Sequence, residues 1–477
     1  MPVPDRSGMQ RDEPVESGDI GHRRPGAKAP GDALSVAPGG RGGARRDAVK
    51  TIRRGTILAV ILGMLVIAAI AALVAWRAPN PDGPGAGFAE DGETIVRLAP
   101  PLVPAKAKVD YHRLEARIDA LMQNPDMVGL AVGTIEDGQV RFVKGYGETL
   151  ANSGNPVTPD TVFRWASLSK SVASALVVAL AEDGKLSLDA PVASMRTTLT
   201  VPGGTRAVTI ADVLSHRLGL VRNAWDDRLE AGEDPKLLRS ALATLAPLCP
   251  PATCYAYQNI AYDTASEIVE QVTGKTYAGV AHDRLFAPLG MTRTTIGRAG
   301  LESAKSWAQP HRHNRQPATV GDAYYRVPAA GGVNSSIHDL LRWMQAQMGG
   351  APGVLSPAAL AAMHDPRVTT PPTRRRGAMD RAMTDAHYGL GWRTYTYAGH
   401  ALVGHRGSVD GYRSLLLFDP AQRSGIVMLW NSNASKPAGL QLEFLDLLYG
   451  LPATDWLQLT APPTPPDPER EARVIAG

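Results

Sequence analysis

The chain has 477 residues, 44% hydrophobic and 20% charged, with 48 Gly, 38 Pro, 6 Phe, 2 Cys and a net charge of +4. That apolar share excludes a wholly disordered chain, two cysteines exclude a disulfide scaffold, and the glycines carry no collagen period. Much of the basic excess precedes residue 55, so the net charge says little about the body and gives no support to a nucleic-acid-binding face.

Residues 1–54 are rich in Gly, Pro, Arg and Asp without apolar periodicity, which predicts a disordered tail. From Gly55 to Trp76 no residue is charged. As a helix that run spans about 33 Å, against a hydrocarbon core of about 30 Å. A signal peptide has a shorter apolar stretch nearer the N-terminus, so the run predicts a single membrane-spanning helix. Arg45, Arg46, Lys50, Arg53 and Arg54 crowd its N-terminal side. The positive-inside rule then puts residues 1–54 in the cytoplasm and everything beyond about 77 outside. Residues 77–109 contain PNPDGPGAG and APPLVPAKAK and predict a linker, and 453–477 predicts a Pro-rich tail. The globular body is expected at 110–452.

Within the body, His112–Gln123 has apolar residues at helical spacing. MVGLAVGTIEDGQVRFVKGYGE predicts two strands joined at Asp137-Gly138. A helix is expected from near Ser167 to a stop at Gly184. Further helices and loops follow, including ADVLSH and AYDTASEIVEQVTG. ALVGHRGSVDGYRSLLLFDPAQRSGIVMLWNS predicts three strands, and a last helix covers about 437–449. Strands at both ends with helices between imply an α+β sandwich: one antiparallel sheet built from both ends of the domain, flanked by helices, with a helical subdomain. The groove between sheet edge and helical insert is the expected site.

Three motifs carry chemistry. Ser167-Leu168-Ser169-Lys170 is an S-x-x-K; on a helix, i and i+3 share a face, so the Lys170 amine reaches the Ser167 hydroxyl as a base. The helix N-terminus adds positive dipole and free N–H groups at the nucleophile. Tyr257-Gln258-Asn259 supplies a phenol fit to relay a proton and an amide fit to bind a substrate carbonyl or orient the lysine, on a loop before a helix. His405-Arg406-Gly407 lies on a predicted strand. Gly407 allows close approach of a substrate backbone, and the N–H of Ser408 joins that of Ser167 as an oxyanion hole. His405 is expected to supply a proton or a charge across the cleft.

The three motifs stand in order, about 90 and about 150 residues apart. Together with VFRWASLSKSVAS, ADVLSHRLGL, VPAAGGVNSSIHDLLRWM, YGLGW and GHRGSVDGYRS, the chain resembles the serine β-lactamase and penicillin-binding superfamily. It is most like the branch of class C β-lactamases, D-Ala-D-Ala carboxypeptidases and family VIII esterases, over about 110–450. The resemblance implies a β-lactamase-like fold, with Ser167 as acylated nucleophile, Lys170 as general base, Tyr257 as proton shuttle and Asn259 as substrate binder. HRG stands where class C enzymes have K-T-G, and its leading histidine resembles the carboxypeptidase and esterase branches. Arg406, unusual at its centre, either points away from Ser167 or binds a substrate carboxylate.

Cys249 and Cys254 bracket PPAT in the part assigned to an oxidising compartment and are expected to form a disulfide. His311-Arg312-His313 lacks a third ligand nearby and is not read as a metal site; Arg374-Arg375-Arg376 reads as a solvated loop. The expectation is a serine hydrolase that needs no cofactor, anchored in a bacterial inner membrane with its domain in the periplasm. It acts on a small molecule or peptide: a peptidoglycan D-amino-acid peptide, a β-lactam or a small ester. Its one other partner is the lipid bilayer, and none is nucleic acid. The alternative is a non-catalytic receptor or scaffold of the same fold.

Overall fold

The structure, a computed structural model, describes residues 107–371 and 377–460. The apolar run at 55–76, the tail before it, nearly all of the linker, the Arg374–Arg376 run and the end of the chain lie outside the described residues. No helix among the described residues is long and apolar enough to cross a membrane.

The first helix, α1 (Tyr111–Met122), starts where the Asp110 side chain accepts the Arg113 N–H at 3.1 Å, and it buries Leu114, Ile118 and Leu121. Strands β1 (Gly129–Glu136) and β2 (Gln139–Gly147) meet at Asp137 and Gly138, whose φ of 49° and 76° suit a two-residue hairpin turn. A small sheet of β3 (Phe163–Arg164), β4 (Thr295–Ile296) and β5 (Val333–Ser335), in the order β3-β5-β4, braces the segment leading into Ser167. Helix α2 (Lys170–Glu182) is buried from Lys170 to Leu180, and Gly184 follows it with φ 70°. Helices α3 (Thr264–Thr273) and α4 (Ile337–Gln345) lie in the middle of the chain.

Strands β6 (Val368–Thr369), β7 (Thr384–Tyr388), β8 (Arg393–Tyr397), β9 (His400–Val409), β10 (Tyr412–Asp419) and β11 (Ser424–Trp430) complete an eight-stranded antiparallel sheet. Its order is β2-β1-β11-β10-β9-β8-β7-β6, so β1 from the start of the domain pairs with β11 from its end, Leu130 opposite Trp430. Alternation divides the sheet's side chains. Ala131, Val403, Leu416 and Val427 pack toward α2 and α4; Leu130, Leu402, Leu415 and Met428 pack toward α1 and the helix α5 (Leu440–Tyr449).

Two differences from the expected elements matter. Ser167 is not on the α-helix: it lies in a 3₁₀ turn, Ala166–Ser169, and the α-helix begins at Lys170. Folded structure also continues past 452. A short helix, Trp456–Leu459, buries Trp456 and Leu457, and the Trp456 indole donates to Asp446 Oδ2 at 2.8 Å. The prolines that predicted a tail begin only at Pro462, so 453–460, which contains none, can form this helix and bury the two apolar side chains.

Candidate active site

Between Thr161 and Leu180, Ser167 is the one residue that is not buried. The chain turns there through Ala166, a non-glycine residue held at φ 49°, a costly conformation that the packing around it maintains. In a 3₁₀ turn, i and i+3 stack on one another, so the S-x-x-K spacing still brings its ends together. Lys170 Nζ lies 3.5 Å from Ser167 Oγ, donates to Asn259 Oδ1 at 2.7 Å and to the Ala330 carbonyl at 3.0 Å. Ser169, two residues on, is buried, and its hydroxyl oxygen accepts the Val333 N–H at 3.0 Å.

Each acceptor of Lys170 is itself held. Asn259 Nδ2 donates to Asp226 Oδ2 at 2.7 Å, so the amide's orientation follows from a carboxylate on one side and an amine on the other. The Ala329 N–H, next to the Ala330 carbonyl, donates to Asp263 Oδ1 at 2.9 Å, and Asp263 Oδ2 pairs with buried Arg239 at 2.8 Å. Lys170 has no exposed surface. Burial, the largest influence, lowers its amine from an ordinary 10.5 to about 7; Asp226 and Asp263 oppose the change and Arg393 adds to it. Burial also raises the Asp226 carboxyl to about 7, against the Asn259 hydrogen bond and the Lys170 charge. The Lys170 amine sits 4.7 Å from the centre of the Tyr257 ring. The Tyr257 hydroxyl has no hydrogen-bond partner among the described residues. Burial pushes it well above the usual phenol range, while Ser167 is near enough to oppose that shift.

Strand β9 forms the facing wall. A Cβ at Gly407 would lie 1.9 Å from the Trp165 carbonyl oxygen, to which Ser414 Oγ donates at 2.6 Å, so only glycine lets β9 come this close to the Ser167 turn. Strand β8 pairs with β9 no further than Gly404, leaving His405 to Val409 beyond that pairing, and Ser408 is exposed. His405 is buried; its Nε2 meets the Tyr388 hydroxyl at 3.0 Å and its Nδ1 the Arg406 carbonyl at 2.8 Å. The expected proton donor across the cleft thus has both ring nitrogens engaged by the fold. Arg406, expected among the substrate-binding residues, is on the other face. It stands opposite Leu415, in the core under α1 and α5, and its Nη2 is 3.5 Å from Met379 Sδ. Strand alternation is the reason: with His405 and Gly407 facing Ser167, Arg406 faces away.

A different arginine lies near the cleft. Arg393, half-buried on β8, donates to the Tyr255 hydroxyl at 2.7 Å and lies 5.5 Å and 5.3 Å from the Tyr255 and Tyr388 ring centres, and no carboxylate among the described residues pairs with it. Cys249 and Cys254 are joined as a disulfide, and its loop pairs with the segment at 216–219. The N–H groups of Leu248, Ala252 and Ala256 donate to the carbonyls of Gly219, Arg217 and His216 at 2.7, 2.8 and 2.9 Å. Away from the site, His311 places its ring nitrogens on the Ala151 N–H and the Asn431 carbonyl.

Sequence reasoning missed Asp226, His216, Tyr388 and Arg393. His216 and Tyr388 lie inside quoted strings, ADVLSHRLGL and YGLGW, and Arg393 directly follows the second. Asp226 carried no local signal.

The Beta-lactamase family model matches residues 114–450. The chain is 30% identical over 333 residues to Unguisins hydrolase ungD' of Aspergillus campestris, a match covering 66% of this chain and 61% of that protein, so it spans less than two thirds of that relative's length. It is also 30% identical to Penicillin-binding protein 4 of Amycolatopsis lactamdurans, over 75% of this chain and 95% of that one. The fold resembles the octameric penicillin-binding protein homologue from Pyrococcus abyssi, with a TM-score of 0.64 and 26% identity over 72% of this chain and 78% of that one.

Proposed function

The chain belongs to the Beta-lactamase family, and from that membership we propose that it is a serine hydrolase working through an acyl-enzyme on Ser167. The observation that carries this reading is the Lys170 amine, buried, lowered to about 7 and 3.5 Å from the one accessible side chain of its segment. A serine hydroxyl is a weak nucleophile until a neighbouring base takes its proton. Near neutral pH a large fraction of Lys170 is the free amine and can do so. Tyr257 stays protonated, so it passes protons toward the leaving group instead of starting the attack. The N–H groups of Ser167 and Ser408 receive the oxyanion on the far side of the carbonyl. Water then releases the acyl group, and none of these steps calls for a cofactor.

The substrate in this reading is an amide or ester of a small acid or peptide. Arg393, a guanidinium without a carboxylate partner among the described residues, favours one carrying a carboxylate near the scissile bond, as a D-amino-acid peptide or a β-lactam does. The reading also has residues 55–76 anchoring the body outside a bacterial inner membrane, supported by the basic residues on the N-terminal side of that run. A fluorophosphonate should label Ser167 alone, Ser167→Ala should lose label and turnover, and Lys170→Ala should acylate at least about a hundredfold more slowly. A D-Ala-D-Ala peptide should outperform its C-terminal amide. Ligand binding without any adduct would favour the receptor alternative, and an adduct on another serine would overturn the mechanism.

A further inference from the structure

Four hydrogen bonds run in series beneath the site. The Gln258 N–H donates to His216 Nδ1 at 3.2 Å; His216 Nε2 lies 3.2 Å from the Tyr388 hydroxyl; that hydroxyl lies 3.0 Å from His405 Nε2; and His405 Nδ1 lies 2.8 Å from the Arg406 carbonyl oxygen. The ends decide the direction of the series. A backbone N–H only donates, so His216 Nδ1 holds a lone pair. A carbonyl oxygen only accepts, so His405 Nδ1 carries its proton. His216 is fully buried. Burial first, then the charges of Lys170 and Arg393, push its pKa well below the ordinary 6.5 and keep it neutral, so its remaining proton is on Nε2. Tyr388 accepts that proton's hydrogen bond and has one proton of its own to donate, to His405 Nε2. With neutral groups, one arrangement of protons satisfies all four contacts.

We propose that His216 and Tyr388 are positioning residues that hold His405 as its Nδ1–H tautomer and, through it, fix the Arg406–Gly407 peptide of β9 beside the Ser408 N–H. The proposal rests on the reading of Ser167 as the nucleophile for its kinetic consequence, but not for the tautomer. The series starts on the loop that carries Tyr257 and Asn259 and ends on the strand that carries Gly407 and Ser408, so it ties the two walls of the cleft together. His216 also packs against the Tyr257 ring, with centres 4.3 Å apart. The groups that face these two imidazoles leave the tautomer undisturbed. Tyr255, Tyr257, Tyr262 and Tyr388 surround His216, and Tyr257 and Tyr388 face His405. After burial, the groups whose charge bears on His216 are Lys170, Arg393, His405 and Arg222, in that order, and all of them favour its neutral form.

The full chain, labelled with ¹⁵N-histidine, gives a direct test, because the nitrogen shifts of His405 report which nitrogen is protonated. The expected result is the Nδ1–H form in the unmodified protein and loss of that single form in Tyr388→Phe, which keeps the ring and removes the hydroxyl. Tyr388→Phe should also lower kcat by at least about tenfold with KM within twofold, since a displaced oxyanion donor is felt mainly in the transition state. An Nε2–H form in the unmodified protein overturns the proposal, as does an Nδ1–H form that Tyr388→Phe leaves unchanged. Full kcat in that variant overturns the link to β9. If Tyr388→Phe does not fold, the tautomer of the unmodified protein still decides. Activity retained in Ser167→Ala would instead break the acyl-enzyme reading and leave the tautomer result standing.

Discussion

Burial acts in opposite directions on the two groups that face Ser167. It lowers Lys170, whose charged form is the protonated one, and raises Tyr257, whose charged form is the deprotonated one. Of these two, Lys170 is therefore the one that titrates near neutrality, and its neutral form is the active one. The acid limb of kcat/KM should rise with pH through about 7. Asp226, linked to Lys170 through Asn259, favours the protonated amine. Asp226→Asn should therefore move that limb to lower pH, by about one unit for the loss of one nearby charge. A pH–rate profile checks this, and a limb that stays in place or moves up would show that Lys170 does not control it.

At the scale of elements, the site depends on how closely β9 approaches the Ser167 turn and how firmly the 216–219 segment is held. Gly407→Ala would place a methyl group 1.9 Å from a backbone carbonyl that cannot move far without disturbing Ala166. The strand should be pushed outward, with a stability loss of about 1–3 kcal/mol and a fall in kcat larger than the rise in KM. Urea unfolding and steady-state kinetics measure both, and a variant equal to the parent in each would contradict the close approach. The disulfide closes a loop of a few residues, so removing it with paired Cys249→Ala and Cys254→Ala changes should cost about 2 kcal/mol. Because that loop pairs with the segment carrying His216, turnover should fall along with stability. A thermal melt beside an assay separates the two effects.

For the whole molecule, the proposed membrane anchor at residues 55–76 carries a prediction about orientation. Lys and Arg flank the apolar run at 55–76 mainly on its N-terminal side, so residues 1–54 should be cytoplasmic. An alkaline phosphatase fusion after Ala105 should be active. Phosphatase silence, with a cytoplasmic reporter active at the same junction, would reverse the orientation.

Much of the fold was legible because it follows local rules. The 3.6-residue period marked α1, the two-residue period and Asp137-Gly138 marked the first hairpin, and a helix running to Gly184 was readable from its apolar content and its stop. Ser167, Lys170, Tyr257 and Asn259 were legible because three short motifs stand in order and, with the strings around them, resemble a known family, and the structure brings all four together. The rest needed coordinates. The 3₁₀ turn under Ser167 arises from the strained Ala166 and the small sheet behind it, neither of which leaves a periodic signal. Asp226 lies 33 residues from Asn259 along the chain, and Tyr388 lies 172 from His216. Such partners are selected by burial of polar groups that must find one another in three dimensions, a requirement with no fixed sequence separation. The same holds for the two arginines. Sequence presented Arg406 at the centre of the third motif, but strand alternation turned it to the far face, and the packing of β8 placed Arg393 against Tyr255 and Tyr388 instead.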